Sequence, residues 1–195
     1  QPAELRRQQA RAWSEAARRD DFSEVDCVHG HFLPLKYLGL AETQPCTFVT
    51  WLREPVARLM SHYHYWQRSY NPESGLTSPL HRRVVEEKWS LEQFCLASEL
   101  RNVYSEFLWG FPAERLDFIG ITEFFEEDLR YFSQQVLRNK LKPHTLNRRV
   151  RRGGADIVCS LTARSRARIE AYHAADVELY RRALGRRQGS DIKDG

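Results

Sequence analysis

Apolar and polar positions along the 195-residue chain fall into short continuous runs and into stripes spaced three and four residues apart. The run CTFVTWL, residues 46 to 52, is apolar almost throughout, the pattern of a strand buried on both faces. EVDCVHGHF (24 to 32) predicts a shorter strand ending at Gly30, and RLDFIGI (115 to 121) a third. Val56, Leu59, Met60 and Tyr63 recur at helical spacing, as do Phe125, Leu129, Phe132 and Val136 after Thr122, so both segments are expected to pack helices on a sheet. Ile169, His173, Val177, Tyr180 and Leu184 mark a last amphipathic helix, and QGSDIKDG after it reads as a frayed tail. At the other end ELRRQQARAWSEAARR (4 to 19) is rich in helix formers. Its apolar stripe is thin, through Leu5, Ala12, Trp13 and Ala16, which predicts a helix lying on a surface. NPESGLTS (71 to 78) is a turn-rich loop before helical segments around 79 to 109.

Strands alternating with helices predict an α/β fold, a three-layer α/β/α sandwich with a mostly parallel sheet. Residues 1–187 read as a single domain and 188–195 as a flexible tail. Three strands make a thin sheet for this much helix. With Gln1 opening directly on a helical stretch, the expectation is a fold incomplete at its amino end, with an element upstream.

Composition narrows the picture. Hydrophobic residues make up 42% and aromatics 12%, enough for a sizeable core. No run approaches the roughly 18 apolar residues of a spanning helix. The net charge of +4 comes from 25 arginines and 5 lysines against 26 acids. Arginine's planar fork suits phosphate and sulfate, but so modest a charge does not argue for nucleic acid. The arginines at 148 to 152 and 181 to 187 also lack interleaved aromatics, so no stacking platform for bases is present. Cys27, Cys46, Cys95 and Cys159 form no CxxC pair and are expected as free, buried thiols in a reducing, cytoplasmic compartment.

Candidate chemistry gathers at two places. In open α/β sheets ligands bind beyond the carboxyl ends of the strands. Arg53 stands at such an end, and Pro55 suits the first position of the helix that follows. The helix amino end is expected to offer free N–H groups and a favourable dipole to an anion, with Arg53 adding a fork of donors and Ser61 a hydroxyl. The plainer alternative pairs Arg53 with a surface carboxylate and makes Ser61 an ordinary helix residue. The second place is VHGHF. Imidazole, with a pKa near 6.5, can act as a base at neutral pH, so His31 is a candidate catalytic base with His29 assisting. The pair also fits a hydrogen-bonded turn. No third ligand stands nearby, which argues against zinc, and no metal is expected.

The string FVTWLREPVARLMSHYHY resembles the 3′-phosphate-binding motif of sulfotransferases, an apolar strand followed by R-x-P-x-x-R-x-x-S-x-Y. VHGHF resembles the H-G-H segment of the carbohydrate 2-O-sulfotransferases of the heparan sulfate and uronyl types, which likewise precedes that motif. LDFIGITEFFEEDLRYF resembles the family's strand-to-helix passage with its threonine-glutamate pair, and PHTLNRR its late segment closing over the nucleotide. The resemblance spans residues 25 to about 185. It implies a fold like that of the P-loop NTPases and a donor, 3′-phosphoadenosine 5′-phosphosulfate, whose 3′-phosphate Arg53 and Ser61 would hold, with Tyr63 completing the pattern. His31 would be the general base and His29 would assist at the acceptor. The acceptor would be a carbohydrate or small alcohol, acidic glycans included, and a eukaryotic glycan enzyme of this type would work in the Golgi lumen.

The chain departs from the family in lacking any P-K-[ST]-[GA]-[ST] segment for the 5′-phosphosulfate. The expectation is that this loop lies upstream of Gln1. The alternative is a catalytically inactive relative that binds the nucleotide or a glycan. Arg148 to Arg152 are expected to form a flap on the nucleotide or acceptor, or else a solvated loop. Glu123 is expected to cap, with Thr122, the helix at 122 to 138.

Overall fold

The structure, a computed structural model, describes residues 3–17, 22, 24–75, 77–139, 141 and 161–191, without the side chains of 188–191. It is a mixed α/β chain, mostly helical, with a small two-stranded parallel sheet. Two compact units divide it: residues 1–52 with 103–120, and residues 53–102 with 121–195.

In the first unit, helix α1 (Ala3–Ala16) lies on the surface, as its thin stripe predicts, but with that stripe outward. Leu5 and Trp13 are exposed, and the inward residues are Arg7, Ala10 and Ser14. Polar anchoring set the choice. Arg7 grips the Glu106 carboxylate with both bonds at 2.9 Å, and Ser14 accepts the Gly39 N–H at 2.9 Å. A Cβ on Gly39 would stand 2.1 Å from the Ser14 carbonyl oxygen, so only glycine permits that approach. Short 3₁₀ turns at Pro34–Tyr37 and Leu40–Glu42 follow, then strand β1 (Val49–Leu52). Strand β2 (Phe118–Ile121) pairs with β1, and the Phe48 and Asp117 main chains meet beside it through a 2.9 Å bond. Gly120 lets the Trp51 ring lie on β2, at 2.3 Å from where a Cβ would be.

Residues 24–32 are not a strand. Val25 and Val28 are about 45% and 42% exposed, and no neighbouring strand supplies a ladder among the described residues. Two valines among Glu24, Asp26 and His29 bury too little surface to hold an extended segment without one. Cys27 is exposed for the same reason, correcting the expectation of a buried thiol; Cys46 is half-buried and Cys95 buried.

The second unit is built on α2 (Pro55–Ser69), α3 (Pro79–Glu86), α4 (Leu91–Cys95), α6 (Phe125–Tyr131), α7 (Ala163–Tyr172) and α8 (Ala174–Asp191); α5 (Val103–Phe107) belongs to the first. Its core gathers Val56, Leu59, Val84, Phe94, Cys95 and Ile169, all fully buried. Met60 and Tyr63 flank it, so the stripe read on α2 is the one that packs, though among helices α3, α4, α7 and α8, in a core with no strand residue among the described ones, rather than on a sheet as expected. Ser78 and Ser90 cap α3 and α4, the latter with Gln93 in a capping box. The predicted last helix keeps its stripe but breaks at His173 between α7 and α8. α8 runs on to Asp191, into the stretch read as a tail. The segment after β2 departs furthest from its pattern. Phe125 is exposed, Asp128 and Ser133 are buried, and Phe132–Val136 forms a π turn. The departures at Phe125 and Asp128 precede that turn: Asp128 is held inward by the Ile121 N–H and the Arg187 guanidinium.

Among the described residues no helix is long and apolar enough to cross a membrane.

Candidate functional site

Arg53 follows the buried Leu52 at the end of β1, and Pro55 opens α2 at its first position, as the pattern requires. Between them Glu54 is the N-cap. Its carboxylate accepts the Val56 N–H at 3.1 Å and the Ala57 N–H at 2.7 Å, while its carbonyl accepts the Arg58 N–H at 2.8 Å. Pro55 has no N–H, so every donor of the first turn is already used. This corrects the expectation of free N–H groups awaiting an anion: the helix end holds its own carboxylate, and positive charge there comes from side chains. Arg53 is half-buried, and Arg166 of α7 reaches Glu54 at 3.2 Å. Ser61 is exposed on α2, off the face formed by Val56, Leu59 and Tyr63.

Glu123 does not cap its own helix. One carboxylate oxygen accepts the Glu54 N–H at 3.0 Å and the other the Tyr180 hydroxyl at 3.1 Å. Phe124, at the N-cap of α6, makes no side-chain cap. Asp128 folds back instead, accepting the Ile121 N–H at 2.6 Å and the Arg187 guanidinium at 2.8 Å.

Arg58, the second arginine of the stretch, points into the second unit, where its guanidinium lies 4.0 Å from the fully buried Asp176. Burial, reinforced by the positive charges of Arg58 and His81, pulls the His62 pKa down to about 4. His173 is fully buried; its Nδ1 accepts the Asn102 N–H at 3.2 Å, so Nε2 donates to the Cys95 carbonyl at 2.7 Å. Both ring nitrogens are satisfied by the neutral form, and desolvation lowers its pKa. The Cys95 thiol is pushed up to about 12 by burial and is no nucleophile. Sequence reasoning missed this network. Its signal was Asp176, an acid three residues after His173 beside an apolar stripe.

His29 and His31 lie in the first unit, both exposed, on the 24–32 loop. The His31 ring meets Phe107 edge-on at 6.2 Å. Arg53 and Ser61 therefore share the second unit and the histidines the first. A surface groove of about 830 Å³ in the second unit, lined by Arg83, Trp89, Gln93, Leu96, Glu99 and Arg168, includes none of these four. Its arginines are paired, Arg83 with Glu99 at 2.9 Å and Arg168 with Glu92 at 3.3 Å. Among the described residues no cluster of three or more His, Cys, Asp and Glu could hold a metal ion. PHTLNRR, the arginines at 148 to 152 and Cys159 lie outside the described residues.

No family model matches this chain, and neither a curated protein nor a solved structure is detectably similar to it.

Proposed function

We propose that the chain is the nucleotide- and acceptor-binding part of a sulfotransferase, which moves a sulfuryl group from 3′-phosphoadenosine 5′-phosphosulfate to a hydroxyl of a carbohydrate or other alcohol. What carries the reading is one junction: a sheet strand, then Arg53, then a proline-initiated helix bearing an exposed Ser61, in a chain whose H-G-H segment precedes it. On this reading the domain is a three-layer sandwich that works together with a 5′-phosphosulfate loop. With the helix N–H groups already engaged by Glu54, recognition of the 3′-phosphate falls to the guanidinium of Arg53 and the hydroxyl of Ser61. In the reaction His31 takes the acceptor's proton as the acceptor oxygen attacks sulfur. The bond from sulfur to the 5′-phosphate oxygen breaks, and adenosine 3′,5′-bisphosphate leaves. His29 orients the acceptor.

A ligand that binds only the folded chain raises its stability by RT ln(1 + [L]/Kd). Adenosine 3′,5′-bisphosphate should raise the melting temperature where 5′-AMP does not, and Arg53→Ala should abolish the difference with the fold intact. Equal affinity of wild type and Arg53→Ala for the bisphosphate would refute the assignment. A second reading, an inactive relative that binds nucleotide or glycan, draws on the lack of any P-K-[ST]-[GA]-[ST] segment in these residues. It predicts bisphosphate binding without turnover in a chain extended upstream.

A further inference from the structure

We infer that Glu123 is a positioning residue for 3′-phosphate recognition, holding the Arg53–Glu54 peptide in place from the far end of β2; this rests on the sulfotransferase reading. The geometry is direct. Glu123 Oε1 accepts the Glu54 N–H at 3.0 Å, and its other oxygen accepts the Tyr180 hydroxyl at 3.1 Å. The Glu54 N–H and the Arg53 carbonyl share one rigid peptide plane, so fixing that N–H fixes ψ of Arg53 and hence the launch direction of α2 relative to its guanidinium. Tyr180 is itself 8% exposed on the inner face of α8, so its hydroxyl is a firm anchor for the carboxylate. Arg166 of α7 braces the same junction through Glu54 at 3.2 Å. The two C-terminal helices thereby set the arginine at the start of α2 through two acidic side chains, neither of which carries the positive charge a phosphate needs. Glu54 stays within its own helix turn, and Glu123 spans to it from another element.

The test is the affinity of the 195-residue chain for adenosine 3′,5′-bisphosphate and for 5′-AMP, measured by calorimetry on wild type, Glu123→Ala, Glu123→Gln and Tyr180→Phe. The ratio of the two affinities reports 3′-phosphate recognition and does not follow from a change in fold stability alone. Glu123→Ala should cut that ratio about tenfold, the loss expected of a charge-assisted hydrogen bond. Glutamine should restore it, because its carbonyl accepts the Glu54 N–H while its amide donates to the Tyr180 oxygen. Tyr180→Phe should lower it by less. A full ratio in Glu123→Ala, or a glutamine variant as weak as alanine, would overturn the positioning role. Should the alanine variant not fold, an unchanged ratio in Tyr180→Phe would do the same. Wild type without any preference for the bisphosphate would reject the 3′-phosphate reading itself, and the inference with it.

Discussion

Arg58 and Asp176 face each other in the second unit with side chains 18% and 0% exposed, whereas in the first unit Arg7 and Arg11 lie over Trp109 at 4.8 and 4.7 Å, and Lys36 over Trp13 at 4.1 Å. Both units thus use cations structurally, one against a buried carboxylate and the other against aromatic faces. A buried charge needs a counter-charge, and Arg58 has Asp176 at 4.0 Å. Burial moves the pKa values of His62, His173 and Cys95 around it, and the Arg58 charge acts on each. The Lys36 ammonium on the exposed face of Trp13 keeps water around it and contributes about 0.5–1 kcal/mol, whereas Arg7 is also held by the Glu106 carboxylate. Arg53 and Ser61 stand on the second, tightly packed unit, and His29 and His31 on an exposed loop of the first.

Substitutions should separate the two units. Phe94→Ala, which removes a fully buried ring at the centre of the second core, should cost about 3–5 kcal/mol in chemical denaturation. Asp176→Ala should cost a similar ~3–5 kcal/mol by leaving Arg58 buried without its carboxylate. A loss below about 1 kcal/mol would mean that the pair is not buried in solution.

Acid should act on the second unit next. Between pH 6.5 and about 4 the unfolded chain protonates His62 and the folded chain does not. Stability therefore rises with pH across that window and falls on acidification, and His173, shifted in the same direction, adds to the slope. Denaturation at pH 7 and pH 4.5 should show a smaller difference in His62→Gln than in wild type; equal differences would contradict the assignment.

The smallest effects belong to the first unit. Lys36→Ala should cost no more than about 1 kcal/mol. His31→Ala, on an exposed loop, should stay within about 0.5 kcal/mol of wild type and keep nucleotide binding. In the chain extended upstream it should lose turnover, and unchanged turnover would remove the base role.

The periodicity of α2 and of the last helical stretch was legible because each apolar stripe coincides with the face that packs: Val56 and Leu59 are fully buried, as are Ile169 and His173. β1 and β2 were legible as strands from their apolar runs, but β1 is not buried on both faces: Val49 is exposed, and of its four residues only Leu52 is buried. The strand at 24–32 was misread because a strand depends on a neighbour, and nothing in EVDCVHGHF says whether one exists. The same holds for α1, whose inward face was set by a bidentate bond from Arg7 and by the close approach of Gly39.

At the candidate site, residue types and spacing by themselves determined that an arginine follows a strand and that a proline starts the next helix. Tertiary structure alone decided what surrounds them. Glu54 could be read as any residue between Arg53 and Pro55, yet it takes the helix donors, and Glu123 holds it from 69 positions away. Local pattern records what a segment does with its own neighbours. Hydrogen bonds such as Tyr180 to Glu123, and the burial of Asp176 against Arg58, depend on which elements meet, and that is a property of the folded chain.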